Sequence, residues 1–310
     1  MSQIKRYTVT EPYLKCGCAI GESVHYDPST NTLSFIDILK HALHTVNLEE
    51  GPSSHKVIPN LSINPHKTVD LVHDDKMWAV NAKLGFGLMD KKTGKSKYIA
   101  YFHEHETRGQ GLMSNDGAVD SRGRFWTGTM ADPIDFAKFE GSLWRCDPDL
   151  TVHEVIKGGM GIPNGISWSP DDKTMYYTDS TKQTIFAYDF EAATGNISNE
   201  RAFFQTETGV PDGHAMDEEG HLWVAIYGAA KVVRLSPQGQ VVAEIALPVK
   251  SITDAAFVGE ELFIACATDK TAASSDMQGD IFRCHVGIKE YPLHKFALSR
   301  EYLSSNEAKL

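Results

Sequence analysis

The sequence has no apolar run near the roughly 20 residues that a membrane-spanning helix requires. It has no basic tract either. Thirty lysines and arginines stand against 41 aspartates and glutamates, a formal net charge of −11. Such a balance repels phosphate backbones and argues against nucleic acid as a partner. Cysteine is scarce, and its count of five is odd, which argues against a disulfide framework and for reduced thiols. Cys16 and Cys18 form a C-x-C pair without a second pair at zinc-finger spacing. Buried thiols are common, so the pair reads as packing. A G-x-S-x-G elbow and an H-E-x-x-H helix are both missing, which removes the serine hydrolase and zinc-helix signatures. The opening "MSQIKRYTVTEP" lacks the apolar core of a signal peptide, so the expected localisation is cytoplasmic. No long 3.6-residue period occurs, which argues against helical solenoids and doubly wound α/β folds.

What the sequence does contain is a repeat. At 310 residues, length alone suggests two domains, but propellers grow by repetition around an axis. Six segments share a polar turn followed by an apolar residue, usually an aromatic, and small or β-branched residues. They are "NTLSFIDI" (31–38), "DKMWAVNA" (75–82), "GRFWTGTM" (123–130), "KTMYYTDS" (173–180), "GHLWVAIY" (220–227) and "EELFIACA" (260–267). Their shared apolar positions, Leu33, Met77, Phe125, Met175, Leu222 and Leu262, lie 44, 48, 50, 47 and 40 residues apart. The preceding Asp, Gly, Pro and Ser residues favour tight turns. A period of roughly 40 to 50 residues with several short strands in each is the spacing of propeller blades. The expectation is an all-β fold, a six-bladed β-propeller with an axial metal site, spanning residues 1–310 as one domain. Further runs, among them "TIFAYDF", "KVVRLSP", "QVVAEIALP" and "GDIFRCHV", read as strands. "EHETRGQGL" and the segment from Asp132 to Glu140 read as insertions. The N-terminal "KRYTVTE" is expected to close the ring by joining the last blade.

Asn164, set between Pro163 and Gly165 just ahead of an apolar strand, raises the functional question. It stands 11 residues before Met175. Glu22 stands 11 before Leu33, Asn115 stands 10 before Phe125, and Asp212 stands 10 before Leu222. Taken singly, Asn-Gly and Asp-Gly are ordinary turn signals. The shared offset instead puts four oxygen-bearing side chains at comparable heights in different blades. Two carboxylates and two amides suit a hard divalent cation such as Ca²⁺, Mg²⁺ or Mn²⁺. "HEHE" (103–106) invites a zinc reading, but its alternation fits one exposed face and no third ligand is spaced nearby. His214 follows Asp212 by two residues; facing the mouth and packing are equal readings for it.

The stretches "GES", "FIDI", "NDGAVDSRGRFWTGTMA", "NGISWSPDDKTMYYTDS", "FEAATGNISNER", "PDGHAMDEEGHLWVA" and "KVVRLSPQGQ" occur in one order from about residue 16 to residue 267. In this the chain resembles the senescence marker protein/regucalcin/gluconolactonase family, which includes luciferin-regenerating enzyme. The resemblance implies a six-bladed propeller with one axial divalent cation, Ca²⁺, Mg²⁺, Mn²⁺ or Zn²⁺. It implies Glu22, Asn164 and Asp212 as metal ligands and Asn115 as a residue holding substrate or water. Two family features are missing. Sugar-lactone hydrolases of this kind carry an arginine two residues before the "NDG" asparagine, where this chain has Met113. The acidic residue that often follows "GTMA" is replaced by Pro133, with Asp132 beside it. Losing a guanidinium removes bidentate recognition of hydroxyls. Met113, Asp132 and His214 are therefore the other candidate substrate contacts.

These features support a metal-dependent hydrolase of a lactone or related ester less polar than a sugar lactone, with Asp212 as general base. The alternative is a divergent biosynthetic enzyme on the same scaffold, performing cyclisation, cycloaddition or dehydration on an apolar intermediate. A third reading is a calcium-binding regulator. In each the partner is a small molecule or ion, with no nucleic acid and no membrane, and the protein is a monomer or weak homodimer.

Overall fold

A computed structural model describes residues 4–103, 111–268, 277–305 and 309–310. The chain opens with β1 (Lys5–Thr8) and then lays down one sheet after another. The first sheet holds β2 (Gly21–Asp27), β3 (Thr32–Asp37), β4 (Ala42–Asn47) and β5 (Lys56–Ile58). The second holds β6 (Pro65–Asp70), β7 (Met77–Ala82), β8 (Gly85–Asp90) and β9 (Ser96–Tyr101). The third holds β10 (Leu112–Val119), β11 (Phe125–Ala131), β12 (Gly141–Cys146) and β13 (Val152–Met160). The fourth holds β14 (Pro163–Trp168), β15 (Thr174–Asp179), β16 (Thr184–Glu191) and β17 (Asn196–Gln205). The fifth holds β18 (Val210–Met216), β19 (Leu222–Tyr227), β20 (Lys231–Leu235) and β21 (Val241–Ala246). The sixth holds β22 (Ile252–Val258), β23 (Glu261–Cys266) and β24 (Ile281–His285). The fold is a six-bladed β-propeller. A five-residue helix, α1 (Arg300–Ser304), is capped by Ser299, whose hydroxyl accepts from the Tyr302 amide at 3.1 Å.

Every sheet begins with an antiparallel hairpin. All six repeated apolar positions fall on its second strand, where they are buried or half-buried. The third and fifth sheets show why the turns are fixed. Asp120 accepts from the amides of Arg122 and Arg124, and its Oδ2 accepts from the Trp126 indole at 2.7 Å. Asp217 does the same for Glu219, His221 and Trp223, at 2.9 Å to the indole. One aspartate thus satisfies the turn and orients the tryptophan that enters the core, while Arg124 and Arg234 neutralise the two buried carboxylates.

The chain divides into two compact units. The first comprises Met1–Pro59, Gln183–Ile185 and Ala202–Pro292; the second comprises Asn60–Lys182, Phe186–Arg201 and Leu293–Leu310. In the first unit one core gathers around Trp223, Phe257 and Phe282 and another around Phe35 and Phe263. In the second, Phe86, Phe125 and Phe296 form one core, and Trp126, Trp168 and Tyr177 another. The segment from Asp132 to Glu140 carries no strand, as expected, and leaves Phe136 70% exposed.

The expected pairing of "KRYTVTE" is corrected. β1 lies parallel to β21, Lys5 opposite Ala243 through Thr8 opposite Ala246, and so edges the fifth sheet. The next residues complete the sixth: the Tyr13 and Leu14 amides donate to the Ile281 carbonyl at 2.8 and 3.1 Å, and the Ile281 amide returns to Leu14 at 3.0 Å. Alternation in "KRYTVTE" marks a strand but carries no information about which edge takes it.

Candidate functional site

The candidate residues sit where the first strand of each sheet breaks register. In β2 the break falls between Glu22 and His25, in β6 between Pro65 and Lys67, and in β10 between Ser114 and Gly117. In β14 it falls between Pro163 and Ile166, in β18 between Pro211 and His214, and in β22 between Ile252 and Ala255. Each inserts one extra residue opposite the second strand, which bends the strand and re-aims side chains, as bulges beside functional sites do. Asn115, Asn164 and Asp212 lie inside these bulges, and Glu22 is the last paired residue before one.

Within the second unit, β10 packs against both β14 and β6. Asn115 and Asn164 are brought together there. The Asn115 amide spends both hydrogens, on the Pro163 carbonyl at 2.7 Å and on Asn164 Oδ1 at 2.8 Å. Asn164, only 4% exposed, donates from Nδ2 to Ser180 Oγ at 2.7 Å. These partners fix which end of each amide is oxygen and keep a lone pair of each oxygen for a ligand. Behind them, Asn81 Nδ2 donates to the Asn115 carbonyl at 2.8 Å and to Thr127 Oγ1 at 2.6 Å. Met113 pairs with Met130 two residues before Asn115 and is half-buried. Asp132 is held by an ion pair with Lys83.

Within the first unit, β22 packs against both β2 and β18. Asp212 is 8% exposed and Glu22 half-buried. Ser23 takes a left-handed conformation, φ 53°, which turns the chain directly after Glu22. Between these strands stands Asp254, 2% exposed, whose Oδ2 accepts from the Val24 amide at 2.9 Å and Oδ1 from the Ala255 amide at 2.8 Å. Gly213 abuts it: a Cβ there would lie 2.5 Å from Asp254 Oδ1. The glycine of "PDG" is therefore needed for close approach. His214 follows the bulge opposite Val224 and is half-buried.

Sequence reasoning missed two bulge residues. His66 stands 11 residues before Met77 and fits the offset, but no glycine follows to flag it. Its Nδ1 lies 2.6 Å from the Ser114 carbonyl and so carries the donated proton, tying β6 to β10. Asp254 is followed by alanine and lies 8 residues before Leu262, outside the shared offset. Beside His66, Lys67 Nζ meets Asp116 Oδ1 at 2.9 Å.

Other chemistry recedes. Burial pushes the Cys266 thiol up to about 12 and Cys284 up to about 11, and drives Cys146 upward as well, so these three are poor nucleophiles. In the "HEHE" run, residues 104–106 lie outside the described residues, as do Arg108 and Gln110, the other polar side chains near Met113.

The profile of the SMP-30/gluconolactonase/LRE-like region matches residues 20–268. This chain belongs to that family. Regucalcin of Gallus gallus is 37% identical over 294 residues, covering 90% of this chain and 95% of its own. Among solved structures, luciferin-regenerating enzyme superposes with a TM-score of 0.81 at 27% identity, covering 91% of this chain and 96% of its own. A regucalcin from Agrobacterium tumefaciens, described as a calcium-binding protein, gives a TM-score of 0.85 at 24% identity, covering 96% and 100%. The second likeness bears on fold alone; family membership rests on the profile and the regucalcin sequence.

Proposed function

We propose that this member of the SMP-30/gluconolactonase/LRE-like family is a metal-dependent hydrolase of a lactone or related ester less polar than a sugar lactone. The observation that supports the reading is the set of first-strand bulges: Asn164 and Asp212 each lie inside one and Glu22 directly precedes another, each in its family motif. Two carboxylates and an amide oxygen form a donor set of the hard-cation kind. Glu22, Asn164 and Asp212 would hold a divalent cation, which would supply carbonyl polarisation and a lowered pKa for water. Asp212 takes the proton from the attacking water and returns it to the leaving alkoxide, so no covalent nucleophile is required. Asn115 orients substrate or water through its free amide oxygen.

The substrate preference follows from two side chains. Met113 offers an adaptable apolar surface where the resemblance expects a guanidinium. Asp132, the sequence neighbour of the second lost clamp position, is engaged by Lys83. Hydroxyls pressed against such a wall lose their water partners without replacement. The same observation favours a second reading, in which the protein rearranges or dehydrates an apolar intermediate without hydrolysis.

The test is turnover of gluconolactone and of an apolar γ- or δ-lactone by wild type and Met113→Arg, each with and without EDTA. Chelator-sensitive hydrolysis of the apolar lactone, with Met113→Arg shifting kcat/KM toward gluconolactone, is expected. Robust wild-type activity on gluconolactone refutes the preference. Cation binding without turnover of any lactone leaves the non-hydrolytic reading.

A further inference from the structure

A second constellation of metal-ligand side chains lies at the end of the first sheet. Cys18, Asp37 and His44 are all buried, and one ligand-type atom from each lies within 4.8 Å of the others. Cys16 lies beside Cys18, its Sγ 3.8 Å from Cys18 Sγ and 3.2 Å from the Gly279 carbonyl. Two zinc–sulfur bonds of ~2.3 Å at the tetrahedral angle set their sulfurs ~3.8 Å apart. The C-x-C loop is held in this shape by Asp280 Oδ1, which accepts from the Cys16 and Gly17 amides at 2.8 and 3.0 Å.

His44 supplies the independent observation. It is 4% exposed and packs against Phe35 and His55, with ring centroids 4.8 and 5.1 Å away. Its Nδ1 lies 3.0 Å from His55 Nε2, while its buried Nε2 has no hydrogen-bond partner among the described residues. An imidazole tethered at one nitrogen by a neighbour and bare at the other is the arrangement of a ligating histidine. An orphaned buried nitrogen is otherwise costly.

The fourth sheet shows that the fold does not require these side chains. In the first sheet Asp37 Oδ2 accepts from the Ala19 amide at 2.8 Å, and Lys40 Nζ reaches the Gly17 carbonyl at 2.7 Å and Asp37 Oδ2 at 3.4 Å. In the fourth, Asp179 Oδ2 accepts from the Gly161 amide at 3.2 Å, and Lys182 Nζ reaches the Gly159 carbonyl at 2.8 Å and Asp179 Oδ2 at 3.4 Å. The frame is the same, and Asp37 belongs to it. The positions of Cys18 and His44, counted from this frame, are held in the fourth sheet by Met160 and Phe186. Apolar side chains serve there; two soft donors stand in the first sheet.

We propose that Cys16, Cys18 and His44 form a site for a thiophilic divalent cation of the zinc class, separate from the oxygen-donor set of Glu22, Asn164 and Asp212. Sulfur and imidazole select such an ion over calcium or magnesium, whereas the oxygen set selects the reverse. Each thiol gives its proton to solvent as its sulfur ligates, and the half-buried Cys16 forms the open side. The site does not depend on the catalytic reading above.

The experiment is a Co²⁺ titration of the reduced full-length protein followed by absorption, with Zn²⁺ as competitor. Wild type and Glu22→Gln are expected to develop the same thiolate-to-cobalt charge-transfer absorption at one equivalent, bleached by Zn²⁺. His44→Phe and Cys18→Met copy the fourth sheet and should keep the fold, checked by circular dichroism. They should bind at least ~100-fold more weakly, beyond the 10–100-fold typical of losing an outer partner. Cys16→Ser, at a half-buried position, is the second check on the sulfur pair and should lower the charge-transfer intensity. Absence of the absorption in folded wild type overturns the proposal. Unchanged affinity in His44→Phe does so too, as does an absorption that vanishes in Glu22→Gln.

Discussion

Asn115 Nδ2 donates to Asn164 Oδ1 at 2.8 Å, and Asn164 Nδ2 donates in turn to Ser180 Oγ at 2.7 Å. The proposed amide ligand is therefore aimed from both ends, and its orientation is inherited from a neighbouring sheet's bulge. Asn115→Ala should lower cation affinity by about 10-fold, the effect of losing an outer partner, although Asn115 is not itself assigned as a ligand. Calorimetric titration with Ca²⁺ checks this, with Asn164→Ala as reference. Equal affinity in wild type and Asn115→Ala would separate the two residues functionally.

Asp212 is assigned both ligation and proton transfer, and the two are separable. Asp212→Ala should lose cation binding and activity together. Asp212→Asn keeps an oxygen donor but no base, so kcat at saturating cation should fall by roughly 10²–10⁴-fold, the range for general-base removal. Turnover near wild type in Asp212→Asn removes the base assignment.

Gly213 tests whether the bulges set the position of the site. An added Cβ would meet Asp254 Oδ1 at 2.5 Å and the Thr253 carbonyl at 3.0 Å. Gly213→Ala should therefore cost about 1–3 kcal/mol, as overpacking does, and should weaken the cation bound through Asp212. Urea denaturation measures the first effect and calorimetry the second.

Glu290 predicts a pH dependence. Its backbone bridges to Asp217, and burial pushes its carboxyl from 4.5 up to about 8. Between those values the folded state holds a proton that the unfolded state has released, so stability falls as pH rises through this window. The contribution is complete below about 4.5 and lost above about 8. Denaturation midpoints measured across this range should decline in wild type and flatten in Glu290→Gln.

The repeat was legible because Leu33, Phe125, Met175, Leu222 and Leu262 each follow a polar turn and enter a buried second strand. Local chemistry and burial act there within a few residues. Asn164 and Asp212 were legible through the glycine behind each, a familiar turn signal. His66 and Asp254 were not, because their bulges are built without that glycine. The cluster of Cys16, Cys18 and His44 lay deeper: its members come from a loop and β4, and only the hairpin between them brings sulfur and imidazole together.

The pairing of Tyr13 and Leu14 with Ile281 has a consequence for synthesis. A strand edge made among the first residues finds its partner only after some 270 more have been added. The sixth sheet therefore cannot be completed on the ribosome until Ile281 has emerged. The N-terminal segment must wait with its backbone groups in water, and sequence separation of this size slows closure. A chain truncated ahead of β24 would keep that edge open, and open edges recruit strands from other molecules.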